Sequence, residues 1–228
     1  MHSELAALER ASGLPLASFR SEHVLEQIRR ACEREAIEPG ALARALGGDR
    51  DARRRFRRSV AISHSALFRD PEQFELLERD VLPRLLASGS RVSVWSAGCA
   101  AGDELHSLAL VLERLGALDR ALLLGSDLLE ENVAAARAGT YPGALRLRMR
   151  WERRDLAADG PPAGRWRLIL CRNVAIYLAP AARSRLYETL AAALAVRGVL
   201  LLGRSERLLD PGALGLRPAG PNAYERIR

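Results

Sequence analysis

Lysine is missing from this chain: all 35 basic side chains are arginine, set against 28 acidic ones, for a formal charge of +7 over 228 residues. A surface of that sign favours acidic partners, whether nucleic acid, anionic lipid or a carboxylate-rich protein. Aromatic residues are scarce, at 5%, and the arginine clusters have little aromatic interleaving, which argues against stacking on nucleic-acid bases. The three cysteines, Cys32, Cys99 and Cys171, stand far apart and form no CxxC pair. That pattern excludes a disulfide framework and a zinc site and fits a reducing compartment. No stretch approaches the roughly 18 to 20 apolar residues that span a bilayer, and the opening MHSELAALERASG is charged, unlike a signal sequence. A soluble cytoplasmic protein without membrane insertion, and a monomer, is the expectation. With 48% hydrophobic residues the chain has the material for a substantial core.

From residue 1 to about 87 the pattern is helical: Val24, Leu25, Ile28 and Cys32 share one face, and Phe74, Leu77, Val81, Leu82 and Leu85 share another. Breakers at Gly13-Leu14-Pro15, Pro39-Gly40 and Gly47-Gly48 divide it into short helices. After Ser88-Gly89-Ser90 short apolar runs (Val92–Trp95, Ala121–Leu124, Leu168–Leu170, Val199–Leu202) alternate with helical patterns at 103–115, 129–138 and 180–196. Strands alternating with helices predict βαβ units and a mostly parallel, doubly covered sheet. The expected organisation is a small all-α domain, 1–87, followed by an α/β, Rossmann-like domain, 88–228.

The most informative stretch runs from Val92 to Glu104: a buried strand enters Gly98 and Gly102, spaced as GxxxG, and a helix follows. Glycines at such a turn let backbone approach a ligand, although a tight turn without a ligand has the same spelling. The acidic pair Asp103-Glu104 opens the helix, where it would repel a phosphate and welcome a cationic amino group. That points to S-adenosylmethionine (SAM), which carries an ammonium and a sulfonium and no phosphate. Asp127 ends the next apolar run; it reads either as an acceptor for two ribose hydroxyls or as the cap of helix 129–138.

With these positions in hand, SVWSAGCAAGDELHSLAL, LLLGSDLLEENVAAARAGTYP, WRLILCRNVAIYL and LLGRSERL, in this order, resemble the signatures of the chemotaxis-receptor methyltransferase (CheR) family. ISHSALFRDPEQFELLERDVLP resembles the element that ends that family's N-terminal helical domain. The resemblance implies SAM-dependent methyl transfer to glutamate carboxylates of a chemoreceptor-like protein, with Glu104 holding the SAM amino group and Asp127 the ribose. It further implies that Gly98 belongs to the cofactor turn, that Asp155, Leu156, Arg172 and Asn173 line the adenine and methionine sides, and that Ser63, Ser65 and Arg69 close the pocket. Tyr177 would stand near the transferred methyl group, making Arg69 and Tyr177 the residues closest to catalysis. Read without the family, Arg69 is a surface partner of Asp70 or Glu72, and Tyr177 a core aromatic beside Ile176.

A glutamate with an ordinary pKa of about 4.3 is ionised at neutral pH, so displacement on a sulfonium needs no general base. The lack of a histidine or cysteine nucleophile constellation agrees with that chemistry. Arg53, Arg54, Arg55, Arg57 and Arg58 form a basic helix that reads as a solvated face or, by resemblance, as a docking surface for acidic receptor helices.

The sequence departs from the family pattern at Ser63 and Ser65 (usually Asn and Thr), at Asp103, Leu105 and His106 (usually Glu, Pro and Tyr), and at Arg204 (usually His). Only residues 143–154 occupy the place of a small antiparallel subdomain. Two other readings follow: a catalytically silent SAM-binding or partner-binding module, and a SAM-dependent methyltransferase of another substrate class.

Overall fold

The computed structural model describes residues 2–87, 89, 91–139, 145 and 148–228. Contacts divide the chain into two compact units, Met1–Ser63 with Tyr177–Ser184, and His64–Ile176 with Arg185–Arg228.

The first unit is built on α1 (His2–Ser12), α2 (Ser21–Glu35), α3 (Leu42–Gly48) and α4 (Arg50–Val60). Each breaker foreseen in the sequence falls at or between helix ends. In α4 the residues Ala52, Phe56 and Val60, four apart, are buried as one stripe. Asp49 caps that helix by accepting from the amides of Asp51 and Ala52 at 2.8 and 3.1 Å, and these bonds hold its carboxyl below the usual range. In α2, Val24, Ala31 and Cys32 are buried, whereas Leu25, expected on the same face, is 57% exposed. The segment Tyr177–Ser184 joins this unit by an antiparallel bridge between Phe19 and Leu178 and by the bonds from Arg20 N to the Tyr177 carbonyl and Ala179 N to the Ser18 carbonyl, both 2.9 Å.

The second unit opens with α5 (Pro71–Leu76), a π-helical turn (Leu77–Val81) and α6 (Leu82–Leu86). Pro83 has no amide hydrogen to return to the preceding turn, and the wider π turn just before it absorbs that break without ending the helix. The apolar stripe Phe74, Leu77, Val81, Leu82 and Leu85 is buried in the same core as Val92, Leu105, Leu108 and Leu201. Contacts therefore part the chain at Ser63/His64 and not at the change of composition near residue 87: this helix belongs with the sheet because its apolar face packs into the sheet's core.

The sheet has seven strands: β1 (Val92–Ala97), β2 (Ala121–Asp127), β3 (Met149–Arg153), β4 (Trp166–Cys171), β5 (Leu194–Leu202), β6 (Leu216–Gly220) and β7 (Ala223–Arg226). Their order is β3-β2-β1-β4-β5-β7-β6, with the first five parallel and β7 antiparallel to both neighbours. Helices α7 (Asp103–Arg114), α8 (Glu130–Ala138) and α9 (Pro180–Ala193) link the parallel strands. This is the expected Rossmann-like α/β sheet. The strand order reverses between β1 and β4, which leaves a crevice beyond their carboxyl ends, where ligands bind in such sheets.

Two local expectations change. The helix foreseen to 196 ends at Ala193, because Leu194 already pairs with Trp166; the register then shifts so that Leu168 pairs with Val199. Residues 149–153, within the stretch credited with no strand of the missing subdomain, instead form the edge strand β3 of the main sheet. Residues 140–144, 146 and 147, which include the start of the shortened region, lie outside the described residues.

Candidate functional site

β1 delivers the chain to a turn at Gly98–Gly102, and the amides of Gly98 and Cys99 both donate to the Ser126 carbonyl at 2.8 and 2.9 Å, tying this turn to the end of β2. Gly98 and Gly102 hold left-handed backbone at φ 83° and 93°. A Cβ on Gly98 would lie 2.5 Å from Val174 Cγ2, so the first glycine admits close approach from the β4 side. A Cβ on Gly102 would instead meet the Trp151 ring at 2.7 Å, so the second glycine serves packing.

Glu104 stands in the first turn of α7; its Oε1 accepts from Ser96 Oγ at 2.7 Å and its Oε2 from Arg172 Nη1 at 3.2 Å. Arg172, just past β4 and with its side chain only 3% exposed, is clamped from three more directions. Nε donates to Gln73 Oε1 at 2.6 Å, and Nη2 to Asp70 Oδ2 at 2.8 Å and to the Arg69 carbonyl. Its guanidinium also lies 5.4 Å from the Phe74 ring centroid. Four of its five N–H donors are engaged, leaving one on Nη1.

Asp127 is buried at the end of β2. Its Oδ1 accepts from Leu129 N and Asn132 Nδ2, and its Oδ2 from Ala100 N, each at 2.9 Å. Burial raises its pKa, with these three bonds opposing. Asp127 thus braces the turn before α8, whose cap position is Leu129, and one acceptor position on Oδ2 is left over. Asp155 and Leu156 follow β3, where the Arg154 amide donates to the Asp127 carbonyl at 2.8 Å; Asp155 Oδ1 accepts from Ala157 N at 2.9 Å and Leu156 is buried.

Ser65 and Arg69 lie on a segment fastened to the sheet unit by Phe68, whose amide donates to Ser107 Oγ at 2.8 Å and whose ring meets Phe74 edge-on at 5.3 Å. Arg69 is exposed and makes no ion pair among the described residues. The carboxylates offered to it by sequence are otherwise engaged: Asp70 with Arg172, and Glu72 with Arg204 at 3.2 Å. The structure thus gathers Ser65, Arg69, Gly98, Glu104, Arg172 and Asn173 around one pocket. Its space is about 30 Å³, room for a water molecule and far below that of a nucleoside site. Asp127 sits behind the glycine turn, and Asp155 and Leu156 are not in the lining. Ser63 and Tyr177 belong to the first unit, where the Tyr177 ring stands 5.3 Å from that of His23.

The arginines of α4 do not form one free face. Arg55 pairs with Glu35 at 2.9 Å, and Arg57 Nη1 donates to the Ser12 carbonyl at 2.8 Å. Arg54 and Arg58 are exposed without ion pairs among the described residues, and Phe56 between them is buried. Cys99 and Cys171 are buried, and desolvation pushes both thiols well above their ordinary pKa, as befits packing residues. His106 also faces inward, with Nδ1 2.7 Å from the Gly102 carbonyl and its ring 5.5 Å from Trp151.

Sequence reasoning missed Gln73 and Asp70 as the partners of Arg172. It noted Gly203-Arg204-Ser205-Glu206 but assigned Glu206 no role, although an acidic residue three positions past a glycine at a strand end was a visible signal.

The CheR methyltransferase, SAM binding domain family matches residues 63–146 and 143–215. A chemotaxis protein methyltransferase of Listeria monocytogenes is 30% identical over 92% of this chain and 90% of its own length. Chemotaxis protein methyltransferase 1 of Pseudomonas aeruginosa is 27% identical over 88% and 87%. Among solved structures, magnesium protoporphyrin IX methyltransferase from Synechocystis with bound SAM matches 67% of this chain and 79% of its own, at 19% identity and TM-score 0.47. With the glycine turn, Glu104 and Arg172 assembled where the strand order reverses, and with this family matching well over half of its length, the chain belongs to the CheR methyltransferases.

Proposed function

We propose that this protein transfers the methyl group of SAM to glutamate carboxylates of a chemoreceptor-like protein in the cytoplasm, acting as a monomer. The observation that carries the reading is the charge pattern of the pocket: Glu104 and Arg172 face each other across 3.2 Å, and Arg69 adds a second cation with no partner among the described residues. SAM supplies an electrophilic methyl on a sulfonium. The donor set fits it, because Glu104 keeps lone pairs for an ammonium, Arg172 keeps one N–H for a carboxylate, and Asp127 keeps one acceptor position for a ribose hydroxyl.

Size is the opposing term. A pocket of about 30 Å³, with Val174 over Gly98, is too small for adenosine as it stands and must widen to take the cofactor. Within the sheet unit, Arg69 would steer the acceptor carboxylate into line, Ser65 would close the pocket, and Asp155 with Leu156 would border the adenine. The roles expected of Ser63 and Tyr177 rest on the family pattern alone. No residue needs to act as a base, since the acceptor is already ionised; alignment and exclusion of water supply the rate. The first unit offers Arg54 and Arg58 to an acidic helix of the substrate.

Calorimetry with SAM and S-adenosylhomocysteine tests the cofactor, and Glu104→Gln should weaken binding by about tenfold, or ~1.4 kcal/mol. No binding by the wild-type protein would sink the enzyme reading and leave a partner-binding module. Labelled methyl released by base as methanol identifies a carboxyl ester; a base-stable label points to another substrate class.

A further inference from the structure

Glu206 is 2% exposed, and its carboxylate is encircled by backbone. Oε2 accepts from the amides of Asn173 and Gly203, each at 2.8 Å. Oε1 accepts from those of Val174, Ala175 and Ile176 at 3.0, 2.7 and 3.3 Å. Five amides converge on one anion, and four of them are consecutive in the turn that follows Arg172. That turn begins with Asn173 in left-handed backbone at φ 59°, a conformation asparagine adopts more readily than other side chains. Asn173 lines the pocket and Val174 lies over Gly98, so the two side chains that define the β4 side of the pocket are mounted on backbone that Glu206 holds. Gly203 completes the arrangement: a Cβ there would sit 2.7 Å from Glu206 Oε2 and 2.8 Å from Asn173 N.

We infer that Glu206 is a positioning residue for cofactor binding: it fixes the 173–176 turn that sets Asn173 in the pocket lining and Val174 over Gly98. The inference rests on SAM being the ligand. Glutamine is the sharp substitution, because one oxygen becomes an NH₂ that faces N–H groups. Its loss should be felt as affinity, not as chemistry, since Glu206 lines neither the pocket nor any reacting atom.

The test is a double-mutant cycle on SAM affinity, by calorimetry on samples shown folded by circular dichroism. Glu206→Gln and Asn173→Ala should each weaken SAM by about tenfold, and the double variant should weaken it little further, because each removes the same interaction. KM for SAM should rise while kcat at saturation changes less than about twofold. Gly203→Ala displaces the carboxylate and keeps its charge, and should reproduce the Glu206→Gln affinity; it stands in if that variant does not fold. Additive losses, or normal SAM affinity in a folded Glu206→Gln or Gly203→Ala protein, would overturn the inference. Absence of SAM binding by the wild-type protein would instead fail the proposed function.

Discussion

Arg172 and the arginines of α4 are the same side chain in opposite settings. Arg172 is almost fully buried and holds partners from the turn before α5, from α5 itself and from α7, whereas Arg54 and Arg58 stand in solvent on a helix where Arg55 is tied to Glu35 and Arg57 to a backbone carbonyl. Removing a buried charge strands its partners; removing an exposed one costs little stability, because water and salt already screen it. The difference teaches that a buried arginine organises the site in the sheet unit, whereas the exposed arginines of α4 leave their charge in solvent.

The largest expected effect breaks the buried side of that contrast. Arg172→Ala leaves the carboxylates of Glu104 and Asp70 facing each other and should destabilise the protein by ~3–5 kcal/mol, read by denaturant unfolding, with SAM binding lost. A stability close to wild type would mean that the clamp is not formed. Next come two glycines. Gly125→Ala drives a Cβ into the Trp151 ring and should cost ~1–3 kcal/mol, while Gly47→Ala, with nothing within 4 Å, should raise stability by ~0.4–1 kcal/mol. Thermal midpoints that move in the same direction for both would erase the contrast between the units.

Arg54→Glu with Arg58→Glu sharpens the exposed side. Methylation of an acidic substrate should fall about tenfold and lose its salt dependence, with SAM affinity unchanged and stability within ~0.5 kcal/mol. Equal methylation at low salt would remove α4 as the docking face. The smallest effect is one of pH. Burial lowers the His106 pKa, against the pull of the Gly102 carbonyl, so the unfolded chain takes up a proton that the folded one resists. The contribution of His106 is then complete above the unfolded value near 6.5 and declines as pH falls below it. His106→Gln should flatten the melting temperature between pH 7 and 5; an unchanged slope would assign that dependence to another group.

Four strands, β1, β2, β4 and β5, are legible as apolar runs because both faces of a parallel strand are buried. The edge strand β3 is not, since Arg150, Glu152 and Arg153 interrupt it, and a strand with one neighbour tolerates charge. Glu104 and Asp127 are legible because strand ends and helix starts have their own spelling. Asp127 carried two sequence readings, and the structure shows its carboxylate bonded at the helix start with one acceptor position to spare.

By itself the sequence determined four parallel strands and the helices between them, the family, and the chemical character of the carboxylates beside the glycine turn, all of which follow from local pattern. Only the tertiary structure decided that Gln73 and Asp70 clamp Arg172, that Arg57 reaches the Ser12 carbonyl, and that five amides meet at Glu206. Those relations join residues as many as 102 positions apart, and pairing at that distance is set by how the sheet packs its helices, which no local period records.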